Sequence, residues 1–413
     1  MQVKRDLFPY CDYSQIIGIL ALLNPIKMQI ALSERIMFTE EYYFSKKLRE
    51  IEQMNRQGLP VLNLGIGSPD RPPAEIVTQT LTKEVQNPSI HGYQSYRGLP
   101  AFRQAIADWY KRYYDVQVDP DSEILPLMGS KEGIMHICMT YLQKGDACLI
   151  PNPGYPTYKA AVTISGAEAI PYTLTAEHNW LPDLEQIEAE CDLQAVKLMW
   201  LNYPHMPTGA KASVNSFKAL VEFANKHNIL LCHDNPYSFI LTEEPTSILS
   251  TPGALDCALE LNSFSKTFNM AGWRMGMILG RTERLQEIMR FKSNMDSGMF
   301  YSMQQAAVAA LTLGQDWYNE LNAEYKKRRA IVYQIMDKLG CKYDQNQVGL
   351  FVWAAIPETY TDAYTLCDQV LENCRVFITP GGIFGSAGES YVRISLCSPE
   401  ADLTLALERL NTL

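Results

Sequence analysis

Five short apolar runs punctuate the middle of the chain: ACLIP (147–151), AVKLMWL (195–201), NILLCHD (228–234), CALELNSF (257–264) and GMILG (276–280). Each is too short for a buried helix and lacks the polar alternation of a half-exposed strand, so each reads as a strand buried on both faces. Helical periodicity fills chain nearby. AFRQAIADWYKRYY (101–114) sets Phe102, Ile106, Trp109, Tyr110 and Tyr113 on one face, and EGIMHICMTYL (132–142) does the same with Ile134, Ile137, Cys138 and Tyr141. Strand and helix in alternation predict an α/β architecture with a mostly parallel central sheet flanked by helices.

The last hundred residues are patterned differently. A long polar helix around Asp316–Lys338 precedes the short strands LFVWAAI and YVRISL, which predicts a smaller α+β domain. At 413 residues the chain exceeds what one core of about 250–300 residues accommodates. The expected division is a large domain over 74–304 and a small domain formed by 28–73 with 305–413.

Charge and cysteine usage exclude several classes. With 46 acidic against 36 basic side chains and a net charge of -10, the chain offers no basic surface for nucleic acid or an anionic membrane. The 10 cysteines are scattered without a CxxC pair, several in apolar context, and read as reduced thiols of a cytoplasmic protein. The 6 histidines show no metal-ligand spacing, so no metal is expected. Residues 1–27 look like an accessory segment. Their apolar run from Ile16 to Leu23 is too short to span a membrane, and acidic Asp6 and Asp12 ahead of it do not suit a signal peptide. Translation beginning at Met28 fits as well.

In open α/β sheets ligands bind beyond the carboxyl ends of the strands, and that is where the reactive residues fall. Lys266 follows LNSFS among the hydroxyls of Ser263, Ser265 and Thr267. Alone it is an ordinary surface lysine; in an enclosed site it forms Schiff bases with carbonyls. Arg274 stands between Gly272 and Gly276, where the backbone can approach a phosphate and the guanidinium can fork onto it. Gly129 and Ser130 open a helix, whose first N–H groups bind anions. A Schiff-base lysine beside a phosphate cradle implies pyridoxal 5'-phosphate. That cofactor needs a carboxylate at its ring nitrogen. Asp234 ends an apolar strand, where an unpaired carboxylate is costly, although D-N-P alone reads equally as a turn. Tyr237 suits the phenolic oxygen, and Tyr155, among three prolines, suits the ring face.

The chain thus resembles a class I/II aminotransferase of the fold type I pyridoxal-phosphate enzymes, the aspartate aminotransferase-like superfamily. The resemblance rests on LNLGIGSPD, YQSYRGLPAFRQAI, GSKEG, PNPGYPTY, PHMPTGA, HDNPY, SFSKTFNMAGWRMG and YVRISL, in the family's order from Leu62 to Arg393. It implies that Lys266 holds the cofactor covalently and then moves the substrate Cα proton. It implies that Asp234 pairs with the ring nitrogen, that Tyr237 bonds the phenolic oxygen and that Tyr155 stacks on the ring. Ser130, Lys131, Ser263 and Arg274 line the phosphate site by the same resemblance. Tyr93 reaches the phosphate of a neighbouring subunit, which implies a homodimer with shared active sites. Arg393 clamps the substrate carboxylate, and Gly67 lets the backbone close over the substrate.

One position departs from the family. Met206 stands where an asparagine usually bonds the phenolic oxygen, so Tyr237 acts alone or Asn202 or His205 substitutes. The expected activity is amino transfer between an L-amino acid and a 2-oxo acid by a ping-pong mechanism. A carbon–sulfur β-lyase and a cofactor-binding regulator are the alternatives, and the short N-terminal segment speaks against the regulator. Arg290 and Lys292 are candidates to read an acidic or diamino-acid side chain such as aspartate, glutamate or diaminopimelate. Tyr42, Tyr43 and Tyr96 are candidates for an apolar pocket instead.

Overall fold

The structure, a computed structural model, describes residues 30–37, 41 and 43–412. The readings of residues 1–27, Met28 and Tyr42 lie outside these. No helix among the described residues is long and apolar enough to cross a membrane.

A seven-stranded sheet forms the centre. Its strands are β2 (Ile124–Leu127), β3 (Ala147–Asn152), β4 (Glu168–Thr173), β5 (Val196–Leu201), β6 (Leu230–Asp234), β7 (Ala258–Ser263) and β8 (Gly276–Leu279), after a short β1 (Leu62–Asn63) that pairs elsewhere. The order across the sheet is β2-β8-β7-β6-β5-β3-β4, with β3 through β7 mutually parallel. One apolar cluster around Trp109, Phe217 and Phe264 covers one face, and another around Tyr158, Trp200 and Leu259 covers the other. Burial on both faces explains why these strands read as unbroken apolar runs.

The GMILG strand differs from the sequence expectation: β8 runs antiparallel to both β7 and β2. Its four residues are all buried, so no alternation marks its direction. The reversal matters for the site. Ser263 pairs with Gly276, and so does Leu127, so the residues before β8 lie at the same edge as the residues after β2, β6 and β7. Arg274 is carried to the carboxyl edge by that reversal.

Local chemistry sets the helix ends. Pro100 and Pro156 sit at the first helical turn of Pro100–Tyr114 and Pro156–Ser165, where a missing N–H costs nothing. Ser213 and Ser216 form a reciprocal capping box on Val214–His227, and Asn228 ends that helix in the left-handed region.

The C-terminal residues build a second sheet of β9 (Lys342–Tyr343), β10 (Phe351–Ala355), β12 (Thr379–Pro380) and β13 (Tyr391–Ser395), all antiparallel, in which LFVWAAI and YVRISL supply β10 and β13. β11 (Val376–Phe377) pairs in parallel with β1, and Ser395 N–H donates to the Leu64 carbonyl. Segment 62–67 is thereby stitched to the C-terminal elements. An apolar cluster of Leu64, Phe351, Val376 and Ile394 packs beneath it. The helix Gln315–Lys338 serves both cores, with Tyr318 in the first and Tyr325 and Val332 in the second.

Candidate active site

The carboxyl edge of the large sheet faces the segment 62–67 and the small sheet across a cavity of about 470 Å³. Gly67, Ser130, Lys131, Tyr155, Asn202, Asp234, Tyr237, Ser263, Lys266, Arg274 and Arg393 all line it. Of the twelve residues formed by Asn202 and those given cofactor or substrate roles by the resemblance, eleven therefore converge, most from the strand ends of the large sheet, Gly67 from the segment after β1 and Arg393 from within β13. Tyr93 is the exception. It is 95% exposed and stands apart from the cavity of its own chain.

Asp234, the last residue of β6, is buried. Its Oδ2 accepts the Tyr158 hydroxyl at 2.9 Å, while its Oδ1 is buried and has no hydrogen-bond partner among the described residues. Burial pushes its carboxyl up to about 6, against the opposing effects of the Tyr158 hydrogen bond and of His233. A buried carboxylate oxygen left open is costly unless a donor arrives, and a protonated ring nitrogen is such a donor.

Lys266 follows β7 in a single helical turn, Phe264–Thr267, capped by the Ser263 hydroxyl. Its ammonium donates to the Gly67 carbonyl across the cavity. Burial lowers its basicity, and the charges of Arg393 and Arg274 lower it further, against an opposing effect of Cys397. Such a lysine yields a neutral amine more readily than an exposed one. Gly67 is tightly placed, because a Cβ there would overlap the Phe351 ring.

The anion cradle forms where β2 gives way to the helix Ser130–Tyr141. Gly129 adopts φ of 87°, open to glycine, and a Cβ there would run into the Arg274 guanidinium. At Gly276 a Cβ would stand 2.9 Å from Ser130 N. Both glycines thus let the guanidinium and the first helical N–H groups close on one point, the geometry of a phosphate site. Burial and the neighbouring Arg274 lower the basicity of Lys131. The orphan carboxylate oxygen, the enclosed lysine and this cradle together fit pyridoxal phosphate.

Arg393 lies in β13, buried, with Nη2 donating to the Gly65 carbonyl at 2.7 Å. Its guanidinium carbon sits 3.9 Å from the Phe351 ring centroid, 4.6 Å from Phe384 and 5.7 Å from Phe44. This aromatic cage desolvates the fork and fixes its plane. Nη1 lies 3.2 Å from Met206 Sδ, a weak acceptor. Burial raises the Tyr237 phenol, against the lowering effect of Arg393.

Several expectations are corrected. His205 does not take the place of the missing asparagine: its Nδ1 pairs with Thr208 Oγ1 at 2.8 Å, burial pushes it down to about 3, and it does not line the cavity. Asn202 does line it, but its amide donates to the Asp234 carbonyl at 2.6 Å and accepts from Met206 N–H at 2.8 Å. Lys292 is buried and salt-bridged to Asp296 at 2.5 Å, and Arg290 is exposed on the same helix; neither faces the cavity. Nor do Tyr43 and Tyr96, and the apolar wall is Phe44, Leu48 and Ile66. Tyr158 was overlooked. It lies three residues past Tyr155, on the same face of the helix that Pro156 starts, and that spacing was the available signal.

Comparison with known proteins agrees with this geometry. Residues 60–410 match the family model of aminotransferase class I and II. The LL-diaminopimelate aminotransferase of Moorella thermoacetica is 41% identical over 381 residues, covering 92% of this chain and 97% of that protein. Its counterpart from Aquifex aeolicus is 38% identical over 383 residues, covering 92% and 98%. The substrate-bound structure of BacF from Bacillus subtilis superposes with a TM-score of 0.87 at 37% identity, covering 93% of this chain and 97% of that one.

Proposed function

Because the chain belongs to the class I and II aminotransferases, and so uses pyridoxal phosphate to move amino groups between L-amino acids and 2-oxo acids, we propose that its donor is a diamino dicarboxylic acid of the diaminopimelate kind. The relatives named above carry that activity in their names, and neither the lyase nor the regulator reading is favoured. The observation that carries the site assignment is the open, buried Oδ1 of Asp234 in the cavity that also holds Lys266 and Arg393.

When bound, the cofactor supplies a carbonyl for condensation with amino groups and an electron-poor ring that accepts the electron pair released at the substrate Cα. Asp234 holds the proton on the ring nitrogen, and Tyr158 keeps that carboxylate aimed. Arg274, Ser263 and the N–H groups of Ser130 and Lys131 would hold the phosphate, Tyr155 would face the ring and Tyr237 would hold the phenolic oxygen, all of them lining the one cavity. Lys266, whose burial favours the neutral amine, would hold the cofactor, and its Nζ would take the substrate Cα proton as general base and return it as acid. Arg393 fixes the substrate carboxylate, its plane set by Phe351 and Phe384. Gly67 brings the backbone close enough to exclude water over the reacting carbon. Phe44, Leu48 and Ile66 shelter the methylene spine of a long donor.

The working molecule is proposed to be a cytoplasmic homodimer; the dimer reading is supported by Tyr93, which is exposed and does not line the cavity of its own chain. The grouping of 28–73 with 305–413 against 74–304 is proposed on the pairing of β1 with β11. Helix Tyr301–Leu311 packs on the larger core, which supports placing the second boundary after that helix rather than at 305.

The test is kcat/KM with 2-oxoglutarate as acceptor and LL-diaminopimelate, glutamate, aspartate and phenylalanine as donors. Diaminopimelate should lead the series. If phenylalanine leads, the apolar wall of Phe44, Leu48 and Ile66 selects an aromatic side chain and the proposed donor class is wrong.

A further inference from the structure

Outside the cavity, one buried side chain ties together two segments that line it. Arg328 lies on the helix Gln315–Lys338, 3% exposed, and does not reach the cavity. Its guanidinium forks onto Asp70, Nη1 donating to Oδ1 at 2.7 Å and Nη2 to Oδ2 at 3.0 Å. Nη1 also donates to the Leu396 carbonyl at 3.1 Å, and Nε donates to Glu324 Oε1 at 2.9 Å. A guanidinium is charged at any working pH, and its planar fork fixes both the distance and the orientation of a carboxylate. The tie therefore depends on no assigned proton.

The tied segments carry the residues assigned to the substrate. Asp70 follows Gly65, whose carbonyl accepts Arg393 Nη2 at 2.7 Å, and Gly67, whose carbonyl accepts the Lys266 ammonium. Leu396 directly follows β13, the strand that bears Arg393. Residues 66–70 lie outside helix and strand, so side-chain contacts rather than a hydrogen-bond ladder decide where the Gly67 backbone stands. The near end of this loop is fixed by Leu64, whose N–H donates to the Phe377 carbonyl, and by the Thr379 hydroxyl, 3.3 Å from the Gly65 carbonyl. The far end is fixed by Asp70. Arg71, the next residue, also reaches the helix through Glu320 at 2.8 Å, but that pair is exposed and such pairs hold little.

We propose that Arg328 is a positioning residue for amino transfer. By holding Asp70 and the Leu396 carbonyl on one guanidinium, it sets the Gly67 backbone and the Arg393 fork at a fixed separation, and so shapes the grip on the substrate carboxylate. A loop freed at Asp70 pivots about its Gly65 end and carries the Gly67 backbone away from the reacting carbon. A displacement of that kind weakens binding and orientation although no group that touches substrate has changed. The inference rests on Arg393 and Gly67 holding the substrate.

The experiment is a double-mutant cycle in the holoenzyme, with Arg328→Lys, Asp70→Asn and the pair together, read as KM, kcat and cofactor retention. Lysine keeps the charge and loses the fork; asparagine keeps the shape and loses the charge, with Glu324 still beside Arg328 so that the chain folds. Each single variant should raise KM for both the amino donor and the 2-oxo acid about tenfold, with kcat changed less than about threefold and cofactor retention unchanged. The double variant should be no worse than either single one, because all three remove the same fork. Folded single variants with wild-type KM overturn the proposal, even if they melt earlier, since a tie that serves stability alone does not touch KM. Single effects that multiply in the double variant also overturn it, because Arg328 and Asp70 then act separately. Failure of the underlying site reading is distinguishable: if Arg393 does not hold the carboxylate, Arg393→Lys leaves both KM values unchanged whatever Arg328 does.

Discussion

Replacing Asp234 with asparagine should stabilise the cofactor-free chain above about pH 6 while disabling the enzyme. In the folded chain this carboxyl sits at about 6 against an ordinary 3.8, with burial as the main cause. The folded state therefore binds the proton more tightly than the unfolded state does. The stability this group contributes is fully present below 3.8 and is lost as the pH rises through about 6. The gap corresponds to about 3 kcal/mol at most once ionisation is complete. Asparagine keeps the shape, carries no charge to desolvate, and still accepts the Tyr158 hydroxyl through its amide oxygen. Urea unfolding of the two cofactor-free proteins at about pH 8 and about pH 5 measures the difference. The asparagine variant should be ahead by up to about 3 kcal/mol at the higher pH, with the advantage shrinking at the lower. Turnover of the same variant with cofactor should fall at least about a hundredfold, because asparagine cannot hold the ring proton. An asparagine variant that is less stable at both pH values, or equally ahead at both, would refute the reasoning.

Three further substitutions probe the remaining parts. Gly129→Ala forces a Cβ into the Arg274 guanidinium at φ of 87°, and should weaken cofactor retention at least about tenfold by equilibrium dialysis. Arg393→Lys loses the fork held between Phe351 and Phe384, and should raise KM for both amino and 2-oxo acids by about 10- to 100-fold with a smaller change in kcat. Met206→Asn restores a donor beside the phenolic oxygen, and should lower by about one pH unit the point at which the visible band of the lysine-bound cofactor titrates. A band that titrates unchanged in that variant would show that the thioether does not set the wild-type value.

Much of the site was legible because its residues follow apolar runs that only a buried parallel sheet explains. Asp234, Ser263 and Lys266 each come directly after or at the end of such a run, and strand direction then places them together. The direction of β8 was not legible, since four consecutive buried residues carry no pattern that distinguishes parallel from antiparallel. The outer strand β4 escaped notice because its residues are half exposed and include Pro171, which only a sheet edge tolerates. Lys292 is only a candidate substrate contact by sequence, and Asp296 four residues on already offers it a partner on the same helical face. The cage around Arg393 had no sequence signal at all. Phe44, Phe351 and Phe384 come from distant parts of the chain, and only their packing into one apolar cluster unites them.

The most direct test of the whole account is a single half-reaction. Purified holoenzyme is mixed with LL-diaminopimelate with no 2-oxo acid present, and the visible band of the lysine-bound cofactor is followed. The band should disappear stoichiometrically as the amino group passes to the cofactor, and 2-oxoglutarate should restore it. A band that persists while pyruvate accumulates, or one that diaminopimelate leaves untouched at any concentration, would contradict the account.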